Sequence, residues 1–522
     1  MVVKTEADLL EIGTKGTSSQ VTQVSSEKAS PLYAVIDLGS NSFHMLITRV
    51  VADSVQTIDK VKRKVRLASG LDRDNKLNEQ AFARGLECLS FFAERLQDIP
   101  TANIRIVATA TLRIATNADD FLLQAQKILG HNIELITGQQ EAEHIYLGVA
   151  HTSCASSKKL VLDIGGASTE IVVGTGFNSQ KAISLNMGCV TFRQQYFTED
   201  IISIANFDKA ISAASQLLSP IVEEYKKLGW QSVLGGSGTM QALAEILAFQ
   251  NKPSTITLSF MREVQEQILQ FNTIQEITIG GLSSERTPVI CSGLAILIAL
   301  FDNLKIESLT LASGALREGL LYEMLPDMRL INIRERTLNS LISRFHIDKE
   351  HGERVKCQTR YLYQKFLPMM QAQDDNVLSI LLAACSLHEI GLLLEFKKHQ
   401  QHGAYIVEQA DLPGFSSEER QLLVMLIQQQ KSDISIDVIT NQRLVSVEDA
   451  KRLLMLFRLA IILCHRRRDD ILPQYKLKVS QKGAGISFPA QWLKQHPLIA
   501  DELKQEDGYL QSLNLTIKYS TD

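Results

Sequence analysis

The chain lacks the patterns that mark an oxidising or membrane setting. Its 522 residues include seven cysteines, at Cys88, Cys154, Cys189, Cys291, Cys357, Cys385 and Cys464. The number is odd, the spacing is wide, and neither a C-x-x-C pair nor a zinc spacing occurs. This argues against a disulfide framework and fits small buried thiols in a reducing cytoplasm. No apolar run approaches a bilayer span; the longest, Gly293 to Phe301, is far too short. Residues 1–30 lack the apolar segment of a secretory leader and are rich in Ser and Thr, so a disordered tail is expected there. Charge of one sign is also missing. A net −4 over this length implies neither non-specific nucleic-acid binding nor attraction to acidic membranes.

What is present is enough chain for three or four domains, with no Pro- or Ser-rich linker between them. "LYAVIDLG", "FHMLITRVV" and "VQTIDKVKRKVRLA" predict three consecutive strands. A helix is predicted through "NEQAFARGLECLSFFAERLQDI", a strand through "IRIVATATL", a helix through "DDFLLQAQKILG", a strand at "IELITG" and a helix at "EAEHIYLGVAHT". "KLVLDIGGASTEIVVG" then repeats the opening theme. Asp37–Ser42 and Asp163–Ser168 both read D-x-G-x-x-S between apolar strands, which implies internal duplication and a cleft between two similar α/β lobes. From about residue 325 helical patterns take over, and strands return near the C-terminus.

The repeated turn is suited to phosphate. Gly39, Gly165 and Gly166 let backbone approach a ligand closely, and successive amides in such a turn point into one concavity. Ser40, Asn41, Ser42 and Ser168 add donors, with Ala167 between the glycine pair and the serine. Asp37 and Asp163 precede the turns, where a carboxylate would repel phosphate unless Mg²⁺ or its waters intervene. A single such turn is better read as a polar hairpin; two copies in matching contexts favour phosphate. "LGGSGTM" is a third turn, with Gly236, Ser237 and Gly238 leading into a helix N-terminus that suits an anion or merely a tight connection.

Glu141 opens a helix, either as a favourable charge at the helix start or as the general base for a water. Arg113, near the end of a predicted strand, and Arg286 could each grip a phosphate or pair with a surface acid. Lys62, Arg63, Lys64 and Arg66 interleave with Val61 and Val65, as a solvated edge strand or a polyanion track would. In the helical part, "SLHEIGLLL" is similar to the His-Asp pair of metal-dependent phosphohydrolases. Glu389 stands where Asp would, His402 lies fourteen residues beyond His388, and no complete ligand set is evident. The expectation is a helical domain without a metal centre of its own.

"AVIDLGSNSFHMLI", "VATATLR", "ITGQQEAEHIYLGVAHT", "LVLDIGGASTEIVVG", "LNMGCVTF", "GGSGTM" and "SGALREGLLYEM" together, in that order, resemble the exopolyphosphatase / guanosine pentaphosphate phosphohydrolase family from residue 32 to about 515. "DIGGAST", "KRKVRLASGL" and "LAIILCHRRRDD" look more like its guanosine pentaphosphate phosphohydrolase branch. The resemblance implies an α/β fold with two actin-like (ribonuclease H-type) lobes over 31–148 and 149–324. It further implies an all-α HD-like domain over 325–474 and a small α+β C-terminal domain over 475–522.

It also implies a cytoplasmic homodimer with Mg²⁺ in the cleft. Glu141 would be the catalytic base, Asp163 and Glu170 metal-associated acids, and Asp37 a further acid. The two turns would bind phosphate, and Arg113 and Arg286 would bind anions. The implied reaction removes the terminal phosphate of guanosine pentaphosphate, leaving the tetraphosphate, with orthophosphate release from polyphosphate ends as the alternative. An actin-like ATPase or sugar kinase would need an acceptor motif that is not seen, and a non-catalytic alarmone sensor is a third reading. Two departures from the family pattern stand out. Gln140 replaces a common glutamate, removing a negative charge beside the substrate, and Ala167 replaces a glycine.

Overall fold

A computed structural model describes residues 31–153, 158–329, 332–470 and 472–521, so the tail expected over 1–30 lies outside the described residues. Runs of β-branched and aromatic residues build the first sheet. β1 (Leu32–Leu38), β2 (Ser42–Val51) and β3 (Ser54–Lys64) form an antiparallel meander. β4 (Ile104–Ala108) and β5 (Glu134–Leu135) extend it in parallel on the other side, in the order β3-β2-β1-β4-β5.

The second sheet contains β6 (Lys158–Ile164), β7 (Thr169–Thr175), β8 (Asn178–Leu185), β9 (Ser232–Gly235), β10 (Ile256–Thr257) and β11 (Ser308–Leu311). Its order is β10-β11-β9-β6-β7-β8. From β8 to β11 it repeats the first sheet strand for strand, with the same two antiparallel and two parallel pairings. The duplication inferred from two six-residue turns is therefore a duplication of topology. Register preserves it too: Asp37 faces His44 across β1/β2, and Asp163 faces Glu170 across β6/β7.

One element differs from expectation. The strand predicted through "IRIVATATL" stops at Ala108, and Ala110–Ile114 is a short helix. Arg113 therefore sits on a helical turn closed by its own amide donating to the Thr109 carbonyl, 3.2 Å away.

Two helices lie between the sheets. The helix Gly138–Thr152 packs on β7 and β8 of the second sheet, and the helix Leu316–Glu323 packs on β1 of the first. Ile145, Tyr146, Val149, Leu316, Leu320 and Leu321 join Val35, Val107, Val161 and Val172 in a shared apolar core. The helices cross at two glycines. A Cβ on Gly148 would fall 2.0 Å from the Ala315 carbonyl oxygen, and one on Gly319 would fall 1.8 Å from that of His144. Only glycine permits so close a crossing. The Gly138–Thr152 helix runs through the lobe boundary placed at 148/149, because its apolar stripe needs the second sheet.

Thr287–Leu304 and Asp375–Leu393 are apolar over 18 and 19 residues, long enough by length and composition to cross a membrane. The helix Ile290–Leu304 is instead packed inside the core of the second lobe.

Beyond Asn332 seven helices, from Ile333–Arg344 to Val447–Cys464, are followed by β12 (Lys476–Ser480), β13 (Gly483–Phe488) and β14 (Thr516–Thr521). Their buried residues form one continuous core from Leu341 to Ile517, so the terminal strands share the helices' interior. A buried ion pair crosses it. Arg458 Nε donates to Glu506 Oε1 at 2.7 Å and Nη2 to Oε2 at 2.8 Å, with Nη1 on the Gln429 carbonyl at 2.6 Å.

Removing one partner strands a buried charge, and that is the costly change. Glu506→Ala is expected to destabilise this region by about 3–5 kcal/mol, read from the urea midpoint. The double change Arg458→Met with Glu506→Leu should cost much less.

Candidate active site

The three glycine turns meet at the mouth of the interlobe cleft, a cavity of about 450 Å³. Its walls carry Gly39, Ser40, Asn41 and Ser42 from the first turn, Gly165, Gly166 and Ser168 from the second, and Gly236, Ser237 and Gly238 from the third. In the first turn the carbonyls of Ser40 and Asn41 accept the amides of Ala68 and Arg66, both at 2.9 Å, which ties the turn to the chain after β3. At the third, Ser237 precedes the helix Gly238–Phe249 without capping it. Its hydroxyl turns to the Met240 sulfur at 2.6 Å, so the positive helix end faces the cleft uncapped by that side chain.

Arg286 also lines the cleft, and its guanidinium lies against Gly238, where a Cβ would come within 1.9 Å of Nη1. Glycine at that position is what admits the arginine.

Asp37, Glu141, Asp163 and Glu170 all line the same cleft. Glu141 projects from the first turn of its helix and is only 8 % exposed. Arg113 Nη1 donates to its Oε2 at 2.7 Å and to the Ile136 carbonyl at 3.1 Å. Arg113 thus stands behind the glutamate and is absent from the cleft wall.

Burial pushes the Glu141 carboxyl up to about 7; Arg113 pulls it down and Asp37 pushes it up. Burial and the charges of Glu141 and Asp37 raise Asp163 to about 7, with Arg317 opposing. Glu170 is raised by burial and by Glu141 and Asp163, against hydrogen bonds from Ser168 and Ser184. The Ser184 hydroxyl lies 2.7 Å from Glu170 Oε1.

Such a set suits a divalent cation. Asp37 Oδ1 is buried with no partner, and Glu141, Asp163 and Glu170 are each raised by burial and by a neighbouring carboxylate, a conflict that a cation relieves. Among the described residues no three of these carboxylates converge on one point. This geometry fits a hard ion that takes one or two carboxylates and completes its shell with water and phosphate oxygens.

Two residues singled out from sequence lie elsewhere. Ala167 is buried off the cleft wall. Gln140 is exposed and closes a capping box, its Oε1 accepting the Thr137 amide at 2.8 Å and its amide donating to the Thr137 hydroxyl at 3.2 Å. The charge a glutamate would bring there lies at the helix start, outside the cleft wall.

The cleft contains groups that sequence reasoning missed: His44, Lys60, Thr109 and Arg317. Lys60 lies on the strand whose alternating lysines had marked Lys62, which also lines the cleft, so strand alternation was the available signal. His44 required the β1/β2 register. Burial, together with Arg286, lowers the Lys62 pKa, although Glu285 opposes this from 3.8 Å. Cys189 is also at the wall, its thiol pushed up to about 11 by burial and so protonated near neutrality.

Two matched lobes with glycine turns and a buried carboxylate lining the cleft between them are the arrangement expected of an enzyme that works on phosphoryl groups. The chain belongs to the Ppx/GppA phosphatase family: residues 46–328 match that family, and residues 333–507 match its domain III. It is a hydrolytic enzyme of this family. The guanosine-5'-triphosphate,3'-diphosphate pyrophosphatase of Pseudoalteromonas translucida is 48% identical over 91% of this chain and 95% of its own length. The like-named protein of Vibrio vulnificus is 47% identical over 91% of this chain and 96% of its own. The crystal structure of an exopolyphosphatase from Cytophaga hutchinsonii matches with a TM-score of 0.52 at 23% identity, covering 57% of this chain and 98% of that one. That likeness speaks to fold alone.

A carboxylate whose pKa rises on folding adds stability that is complete below its unfolded value and is lost as pH climbs through the folded one. For Glu141 that window runs from 4.5 to about 7, and Asp163 acts in the same direction. The metal-free protein is therefore expected to lose thermal stability across this range. Added divalent cation should raise Tm more at about pH 8 than at about pH 5, as measured by scanning calorimetry.

Proposed function

We propose that this cleft hydrolyses the terminal phosphoanhydride of guanosine pentaphosphate, releasing orthophosphate and leaving guanosine tetraphosphate. The observation that carries the reading is Glu141, buried in the cleft that the glycine turns line and held by Arg113, its carboxyl pushed up to about 7 by burial. The names of relatives 48% and 47% identical over most of the chain support the choice of nucleotide.

In this reading the turns around Gly39–Ser42 and Gly165–Ser168, the Gly236–Gly238 helix start and Arg286 hold the terminal phosphates. They place dipoles and charge where negative charge spreads in the transition state. Arg113 holds one oxygen of Glu141 and leaves Oε1 to accept the proton of a water in line with the leaving phosphate. One or two of Asp163, Glu170 and Asp37 would hold Mg²⁺, which when bound neutralises phosphate charge. A homodimer in the cytoplasm is proposed on the family resemblance, as is a division into two lobes that meet within the helix Gly138–Thr152 and a helical region from 325 whose core takes in the strands after 475.

A second reading, exopolyphosphatase activity at the same site, draws on the basic row along β3. Lys60 and Lys62 line the cleft, while Lys64, Arg66 and Arg84 line an adjoining depression. A linear polyanion longer than a nucleotide's phosphates could follow that row.

Glu141→Gln is expected to lower kcat for orthophosphate release by about 10²–10⁴-fold with KM little changed; unchanged kcat would remove the assigned base. The ratio of kcat/KM on guanosine pentaphosphate to that on long polyphosphate separates the two substrates. Because Arg113 lowers the Glu141 pKa, Arg113→Met should move the acid limb of the kcat/KM–pH profile to higher pH. A limb that stays in place would mean that another group titrates there.

A further inference from the structure

The helical region contains a second constellation that the proposed reaction does not use. His351 sits in the first turn of the helix Lys349–Phe366, where its amide donates to Asp348 Oδ1 at 2.9 Å. His388 ends the helix Asp375–Leu387, and Glu389 follows it. Folding brings one ligand atom from each of the three within 4.8 Å of one another, and among the described residues no other such trio forms. The third ligand is thus His351, upstream on a neighbouring helix; His402 has no part in it.

The state of His388 is set by its neighbours. Its Nδ1 lies 2.7 Å from the Cys385 carbonyl, so that nitrogen carries the proton and Nε2 carries a lone pair. Nε2 is buried without a partner, and the residue is 3 % exposed. His351, also 3 % exposed, has its Nδ1 buried and unpartnered. Two such nitrogens beside a carboxylate carry an unmet polar cost that a cation would remove. The carbonyl-held imidazole is the outer support that metal-bound histidines ordinarily have.

Glu389 has outer support of its own. Both Glu389 oxygens accept from Arg467, Oε2 from Nη1 at 3.2 Å, and the same Nη1 reaches Asp348 Oδ2 at 3.0 Å. A cavity of about 390 Å³ adjoins the trio, with Lys431, His399 and Tyr509 on its wall, giving access and room for water on the open coordination positions.

We propose that His351, His388 and Glu389 form a metal centre, separate from the interlobe cleft, for a first-row transition cation such as Zn²⁺. Two imidazoles and one carboxylate favour such an ion over Mg²⁺ or Ca²⁺, which prefer oxygen throughout. The cleft, with its four carboxylates, has the opposite preference, so the two sites differ in the metal they select.

The test uses the full chain, stripped with a chelator and dialysed against Zn²⁺ in excess Mg²⁺, with bound zinc counted by elemental analysis. Wild type should retain one zinc per chain, and Asp163→Asn in the cleft should retain it as well. Glu389→Gln keeps the shape of a half-buried side chain and should weaken zinc binding at least about tenfold. His388→Gln should do the same, with circular dichroism to verify its fold. Co²⁺ in place of Zn²⁺ should give visible d–d bands in wild type that Glu389→Gln loses. Equal zinc retention in wild type and Glu389→Gln, or loss of the zinc in Asp163→Asn, would overturn the assignment.

Discussion

Mutual repulsion among buried carboxylates is the constraint around which the two-lobed part of the molecule is arranged. Asp37 comes from one sheet, Asp163 and Glu170 from the other, and Glu141 from a helix between them. Burial first, and then the charge of a neighbouring carboxylate, hold back the ionisation of Glu141, Asp163 and Glu170. Their environment is therefore intelligible only with positive charge close by. Arg113 supplies it behind Glu141, Arg286 and Arg317 supply it along the walls, and a cation would supply the rest.

The duplication accounts for both the resemblance of the halves and their division of labour. At equivalent positions opposite the turn aspartate, one half has His44 and the other Glu170. His44 Nδ1 lies 3.5 Å from Asp37, whereas Glu170 adds a second acid beside Asp163. The phosphate-type turns were retained on both sides, while the acidic character was concentrated on one. Glu141, on the helix that packs against β7 and β8, joins that acidic side and raises the pKa of both Asp163 and Glu170.

Much of this was legible in the residues because the relevant signals are local. Alternating apolar residues marked the strands, and D-x-G-x-x-S carried both the turn and the repeat. What escaped depends on partners far apart in sequence. Lys60 and His44 reach the cleft only through the pairing of β1, β2 and β3. Arg113 passed for a strand-end residue because the helical turn Ala110–Ile114 is too short to show a period. Gln140 suggested a change beside the substrate, yet its side chain is spent on the Thr137 amide. His351 could not be joined to His388 by spacing, since they belong to different helices.

The crossed helices at Gly148 and Gly319 have a consequence for the divisibility of the chain. Each half buries its companion helix against the sheet of the other. A fragment ending near residue 150 would present an uncovered helix stripe together with an uncovered sheet face. Because each half covers part of the other, cutting the backbone between them would leave non-covalent partners instead of independent domains.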